Sequence, residues 1–493
     1  MVGNKLVNIT DHPKVNADEK ELKRIERAFR EYRNDYPKIE YLNSFNQERK
    51  RDYMTINMRK LTAEMMASLV FNEQAEIKVD IDSANEFIEH TFEHNDFKKN
   101  LSKYLEPMFV AGGLVVRPYA DKNSKEIEFS WGLADAFIPI RSTTNGIAEG
   151  VMTFRTMNTE GKEKVFYTLL EFHEWDGNTI TITNELYRSD QSEEIGEEVP
   201  LGYNGQFEGL ERTAKITNMN KPLFNYLRTA GFNNFSPHSP LGVGICDNSV
   251  STLKQINDSY DQFNWEILMG QRTVLVSDHF LRYAADETGN APKPSFDPSV
   301  NIYKAVRMEQ GKEVVKDITN DIRTNQYIAA INQFMKTLEM QMQLSVGTFS
   351  FDGKSVKTAT EIVSENSLTY RTRNMQCTEV EKFIKGLVVS TLELAKRTII
   401  NGSAMYAGEI PTFEQISVNF DDGIFESRDQ LLEFWSKAGT IGYAPPKEAI
   451  KAIFKLTDEQ AEEWYQQILS AQAGMDMMEQ EEQSAQEELG AEE

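Results

Sequence analysis

Cysteine is almost missing from this chain: Cys246 and Cys377 are the only two in 493 residues. A secreted chain of this length usually carries more, in pairs. A disulfide framework is therefore excluded, and both residues read as thiols of a cytosolic protein. Long apolar runs are missing too. The best uninterrupted one, Met108 to Val116, falls well short of the roughly 18 residues a membrane helix needs. The opening stretch MVGNKLVNITDHPK has no apolar segment of the secretory kind, so no signal peptide is expected. Positive charge is in deficit as well. Lys and Arg number 53 against 77 Asp and Glu, a net charge of -24. A tight DNA binder usually has the opposite balance, because Lys and Arg must neutralise phosphates. This argues against a sequence-specific DNA binder. It leaves open an acidic intracellular protein charged for solubility, and a conduit whose walls repel DNA.

What is present is ordinary for a globular protein, with 40% hydrophobic and 26% charged residues. The length calls for two or more packed modules. Leu22, Ile25, Phe29 and Tyr32 recur at helical spacing within 17–36, and Pro37 closes that helix. A second helix is expected over 52–71, along Met54, Met58, Leu61, Met65 and Leu69. A third is expected from Ser83, as N-cap, to Val110, stopped by Gly112-Gly113. Residues 114–188 alternate instead, with a turn at Asp176-Gly177-Asn178, and read as an antiparallel meander. The fold class is α+β.

After a loop-rich stretch over 189–240, a long helix is expected over 247–270. Its stripe is Val250, Leu253, Ile256, Tyr260, Phe263 and Ile267. Two short strands, RTVLVS and NIYKAVRM, flank a Pro-rich loop. A second long helix over 321–344 carries Ile328, Ile331, Met335, Leu338 and Met342. Residues 346–357 break the helix. Thr358 with Glu361 forms a capping box for a helix running to Ile400, with Gly386 as a bend. The strand ISVNF and three short helices follow. The stretch Gly474 to Glu493 is acidic, without Lys or Arg.

Motifs for chemistry are weak. His90-Thr-Phe-Glu93-His94 has the H-x-x-E-H order, and imidazoles four apart on a helix can share a metal. Nothing marks a third ligand, however. Gly353-Lys354-Ser355 resembles the end of a phosphate loop, but Thr348 stands where the first Gly belongs and a helix precedes it. The cradle of backbone N–H groups is thus lacking. Gly112-Gly113 and Gly242-Val243-Gly244 read as turns. No catalytic residue, metal site or cofactor is expected.

The order of elements, however, resembles that of phage portal proteins. So do three stretches of residues: Thr358-Ala-Thr-Glu-Ile-Val-Ser-Glu-Asn-Ser367 with Tyr370-Arg371-Thr372, Val418-Asn-Phe-Asp-Asp-Gly423, and Ile39 to Val79 with Asn57-Met58 and Leu69-Val70-Phe71-Asn72-Glu73. The likeness is to portals of siphophages infecting Gram-positive bacteria, and it covers nearly the whole chain. It implies an α+β wing over 1–246, a stem helix over 247–270, an α/β clip over 271–320 and a second stem helix over 321–344. A tunnel loop (345–358), a long kinked helix with a wing return strand (359–426) and a helical crown with an acidic tail (427–493) would follow.

The resemblance further implies a homo-oligomeric ring, usually of twelve, at the capsid vertex, through which double-stranded DNA is packaged and ejected. Leu253, Ile256, Phe263, Ile331, Met335 and Leu338 would pack the stem. Phe349, Phe351, Lys354 and Lys357 would meet DNA in the tunnel, and Lys293, Arg307 and Lys312 would dock the motor. Expected partners are the terminase large subunit, head-completion adaptors, and the major capsid and scaffold proteins, with no membrane. The location would be the virion, after assembly in the host cytoplasm. Two other readings stay open: a packaging-associated NTPase or nuclease, and a capsid scaffold or adaptor that binds no DNA.

Overall fold

The computed structural model describes residues 5–42, 47–121, 124–144, 146–270, 274–277, 303–306, 315–317, 321–350, 367–400, 402–420, 428–454 and 461–470. The chain divides into two units, Met1–Ser355 with Glu365–Asp421 and Val356–Ser364 with Asp422–Glu493.

In the larger unit, α1 (Glu19–Tyr32) starts where the Asp18 side chain accepts from the Lys20 amide, an N-cap that satisfies an otherwise orphan donor. A charged hairpin, β1 (Ile39–Leu42) and β2 (Glu48–Arg51), leads to α2 (Met58–Val70), capped by Asn57. After β3 (Glu76–Val79) the single helix expected over 83–110 is instead two, α3 (Asp82–His94) and α4 (Phe97–Ala111). The reason is Asn95. Its amide donates to Thr91 O and Ile127 O at 2.8 and 2.7 Å, and its side-chain oxygen accepts from Phe129 N. The chain is stitched to a strand there, and Asp96 turns left-handed at φ 47°. Nor is Ser83 the N-cap. Ile81 holds that place and no side chain caps the helix. Gly112 does end α4, at φ 94°, where a Cβ would lie 2.5 Å from Gly242 O.

The alternating stretch is antiparallel, but it splits into two sheets. Its strands are β4 (Gly113–Ala120), β5 (Ile127–Leu133), β6 (Phe137–Thr143), β7 (Gly146–Glu160), β8 (Glu163–Asp176) and β9 (Thr179–Ser189). Three shorter strands complete them: β10 (Glu197–Val199), β11 (Thr213–Ile216) and β12 (Asn225–Arg228). One sheet runs β12-β4-β5 and the other β10-β9-β8-β7-β6, with β11 also on β9. Leu114, Val115 and Val116 are all fully buried, so β4 is covered on both faces.

Then come α5 (Val250–Met269) and a small sheet in which β13 (Val274–Ser277) lies parallel to β14 (Tyr303–Val306) and antiparallel to β15 (Val315–Asp317). Two long helices follow, α6 (Thr324–Gln341) and α7 (Ser367–Arg397). The second is helical throughout, across Gly386, and ends at Arg397 rather than Ile400. The chain turns there into the pair β16 (Ile399–Ile400) and β17 (Ser403–Ala404). Finally β18 (Ile416–Asn419) returns to β3, with Ile416 opposite Val79. The main core gathers Leu101, Leu105 and Phe109 of α4 with Ile384, Leu387 and Leu392 of α7.

In the smaller unit, α8 (Arg428–Thr440) and α9 (Pro446–Phe454) precede a helical stretch over 461–470. Phe454 packs on Trp464 at 5.2 Å, and Lys447 pairs with Glu462 at 2.7 Å.

Candidate functional site

The two helices α5 and α6 lie side by side and antiparallel. Three contacts set their register: Thr252 donates to Gln341 at 2.9 Å, Phe263 stacks on Tyr327 at 5.3 Å, and Glu266 pairs with Arg323 at 2.6 Å. Burial falls steadily along the pair. At the base, Leu253, Ile256, Met335, Leu338 and Met342 belong to the main core, and Ile331 packs partly buried against it. Phe263, further out, is half-buried. At the far end Ile267, Leu268, Met269, Ile322 and Ile328 are exposed, the last at 55%. The apolar stripe is thus continuous in sequence, but its own protomer covers only half of it.

The base of α5 is held by a buried ionic cluster. Asp247, just before the helix, accepts from Arg24 at 2.6 Å, from Arg59 at 3.0 Å and from the Gly244 amide at 3.0 Å. Arg24 also donates to Glu21 and to the carbonyls of Ala111 and Gly242, and Arg59 pairs with Glu31. Burial works against the Arg24 charge, but the hydrogen bonds and charges of Glu21 and Asp247 raise its pKa above the usual arginine value. The cluster ties α1, α2, the end of α4 and the start of α5 to one point. Beside it, burial pushes the Cys246 thiol up to about 11. Neither Cys246 nor Cys377 is in a disulfide, and both are buried.

Midway along α5 a second clamp acts. Arg51 grips Asp261 with two bonds, at 2.5 and 2.6 Å, and lies over the Trp265 ring at 4.8 Å. Tyr53 donates to Asp258, and the Ile56 amide to Asn257. Residues 257, 258, 261 and 265 share one face at helical spacing. The clamp therefore straps the segment after the β1–β2 hairpin along the helix.

The chain leaving α6 is held by one fully buried carboxylate. Glu339 accepts from the amides of Gly347, Phe349 and Ser350 at 3.1, 2.5 and 2.7 Å, and from the Ser350 hydroxyl at 2.9 Å. Left-handed Gln343 and Gly347 make the turn around it. The start of α7 closes onto the same turn: Thr369 bonds Ser345, and Thr372 donates to Gln343 O at 2.8 Å. Phe349 packs half-buried against the main core of its own chain. Phe351, Lys354 and Lys357 lie outside the described residues, as do Lys293, Arg307, Lys312 and the Thr358 capping box.

Other sequence candidates disperse. His90 faces Glu126 at 3.8 Å and His94 faces Glu128 at 3.2 Å, each pair on the surface. No cluster of three or more metal-ligating side chains is found among the described residues. No described helix is long and apolar enough to cross a membrane. Inside the six-stranded sheet, burial alone would raise the Glu171 carboxyl, but Arg117 and His173 hold it down at about 2. Sequence reading missed Asp247, Glu339, Arg24 and Arg59. Their partners lie up to 223 residues apart, and no local pattern marks a buried charge.

A family model described as phage portal protein, SPP1 Gp6-like, matches residues 11–474. Among solved structures, the virion of a native gene transfer agent particle matches at 10% identity and a TM-score of 0.37, over 81% of this chain and 88% of that one. The neck of the native particle, computed with C12 symmetry, matches at 11% identity and a TM-score of 0.39, over 80% and 88%. No curated protein matches. The family match runs through the helix pair, both of its clamps and all of α7, and so the chain belongs to the phage portal protein family, whose members form the ring at the capsid vertex.

Proposed function

We infer that this chain is a structural subunit of a portal ring, that α5 and α6 form its stem, and that double-stranded DNA passes through the ring without being read. The burial gradient along the helix pair carries this reading. Clamped at the base and apolar but uncovered at the far end, the pair is suited to bury its outer stripe against neighbouring copies. The boundaries that follow are a wing over 1–246, stem helices over 247–270 and 321–344 with a clip between them, a tunnel loop over 345–358, a long helix and return strand over 359–426, and a crown over 427–493. Residues 358–372 and 418–423 extend the reading to a phage of the Gram-positive siphophage kind.

In this reading Lys354 and Lys357 touch phosphates transiently, which positions DNA but carries no sequence information. The clip, with Lys293, Arg307 and Lys312, takes the terminase motor and later the adaptor proteins. ATP hydrolysis belongs to the motor, and the acidic surface keeps DNA from adhering to the wall. Subunits assemble in the host cytoplasm with capsid and scaffold proteins.

Negative-stain electron microscopy with a solution mass tests the ring. The expected result is rings of about a dozen copies with a hole wide enough for duplex DNA. Nucleotide turnover by the purified chain, abolished by Lys354→Ala, would move the assignment to a packaging NTPase. In an infection assay, Lys354→Ala is expected to leave rings intact and alter packaging or retention. Unchanged packaging would remove the loop from the mechanism.

A further inference from the structure

Between α7, β12 and the β6–β7 turn the larger unit leaves a cleft. Phe224, Asn225, Phe383 and Gly386 are among its lining residues. Gly386 allows the close approach of α7 to β12, since a Cβ there would stand 2.6 Å from the Asn225 side-chain oxygen. Asn225 in turn donates to Ser390 at 2.7 Å, which ties strand to helix behind the cleft.

The lining is cationic. Lys221, Arg228 and Lys382 contribute to it, while Glu379, 3.8 Å from Arg228, is the one acid among its described residues. Lys221 sits 3.3 Å from the centre of the Phe413 ring, which holds that charge in place. This local excess of cations belongs to a chain whose net charge is -24. Beside it stands Phe232, 74% exposed.

Phe232 does not ride on a loose loop. Buried Asn233 accepts from the amides of Phe235 and Ser236 and donates to Leu241 O. Ser236 donates to Asp18, and the Ala230 amide to Gln376. A large aromatic exposed on a pinned loop loses little entropy on association, which is the character of an interface anchor.

We propose that this cleft receives an acidic face of a second copy of this chain, with Phe232 as the apolar anchor at the contact. The proposal rests on the ring reading above. Two such clefts cannot face each other, because like charges would oppose and neither hollow would be filled. The contact is therefore head-to-tail, the kind that closes a ring. The acidity of the chain then serves assembly as well as solubility, since each copy brings carboxylates to its neighbour's cations.

The test compares full-length wild type with Phe232→Asp and Lys382→Glu, both exposed positions, by solution mass, electron microscopy and thermal melting. Either variant is expected to lower the assembled fraction by about tenfold while the melting of the protomer is unchanged. Zero-length carbodiimide cross-linking of mixed light and heavy isotope-labelled chains adds a direct reading. It should join Lys382 to an Asp or Glu of the other chain, and it decides the matter if a variant melts early. Equal rings from wild type and both variants, or Lys382 links confined to one chain, would overturn the contact and leave the ring standing. A wild type that stays monomeric would overturn both.

Discussion

At the scale of single residues, buried charge governs this protein. Asp247 is the shared acceptor of Arg24 and Arg59, all three almost wholly buried. Asp247→Ala leaves two desolvated guanidinium groups without that carboxylate. Urea unfolding should show a loss of about 3–5 kcal/mol, and a loss near zero would mean that water or Glu31 replaces it. Glu339→Gln keeps the shape but puts an NH2 group against backbone donors. Hydrogen exchange at Gly347, Phe349 and Ser350 should quicken, with a loss of about 1–3 kcal/mol. Protection like the wild type would show that the turn stands without the charge.

Glu171 links charge to pH. Its folded value near 2 lies below the ordinary glutamate value. Its stabilising contribution is therefore complete above the unfolded pKa of about 4.3 and is lost as pH falls from there toward 2. Glu171→Gln should flatten the fall in melting temperature over that window. An unchanged acid profile would place the sensitivity in other carboxylates, such as Asp261, which Arg51 also holds low.

At the scale of elements, the helix pair separates two kinds of apolar residue that look alike in sequence. Leu338 is fully buried within its own protomer, whereas Ile328 is 55% exposed. Leu338→Asp therefore unfolds the base of the pair, and its failure to assemble would say nothing about neighbours. Ile328→Asp is the informative change. The protomer should melt as the wild type does while ring formation falls, and normal rings would mean that Ile328 stays uncovered in the assembly. The helical period of α5 and α6 was legible because amphipathic spacing is a local property. The break between α3 and α4 was not. Asn95 leaves the helix to bond β5, a strand more than 30 residues further on, and no neighbouring residue announces that competition. For the same reason Ser83 looked like a cap. Its type suits the role, but the helix begins where β3 ends rather than where a hydroxyl is available.

At the scale of the whole molecule, the charge balance argues for weak contact with DNA. A chain at -24 has little to offer phosphates. Filter binding near physiological salt should retain almost no linear duplex on assembled rings, and firm retention would point to a cationic tunnel stronger than a few lysines can supply.

The sequence by itself determined the α+β class, the antiparallel meander, the long helices and the likeness to portal proteins, because periodicity and element order are written locally and in series. Only the tertiary structure decided which half of each stripe its own protomer covers, where the charges that clamp the base of α5 meet, and that a cationic cleft lies beside Phe232. Each of these depends on residues distant in the chain. Asp247 acquires its role beside Arg24 only when folding removes water from around the pair, and Lys221 and Lys382 come to line one cleft only when folding brings their distant segments together.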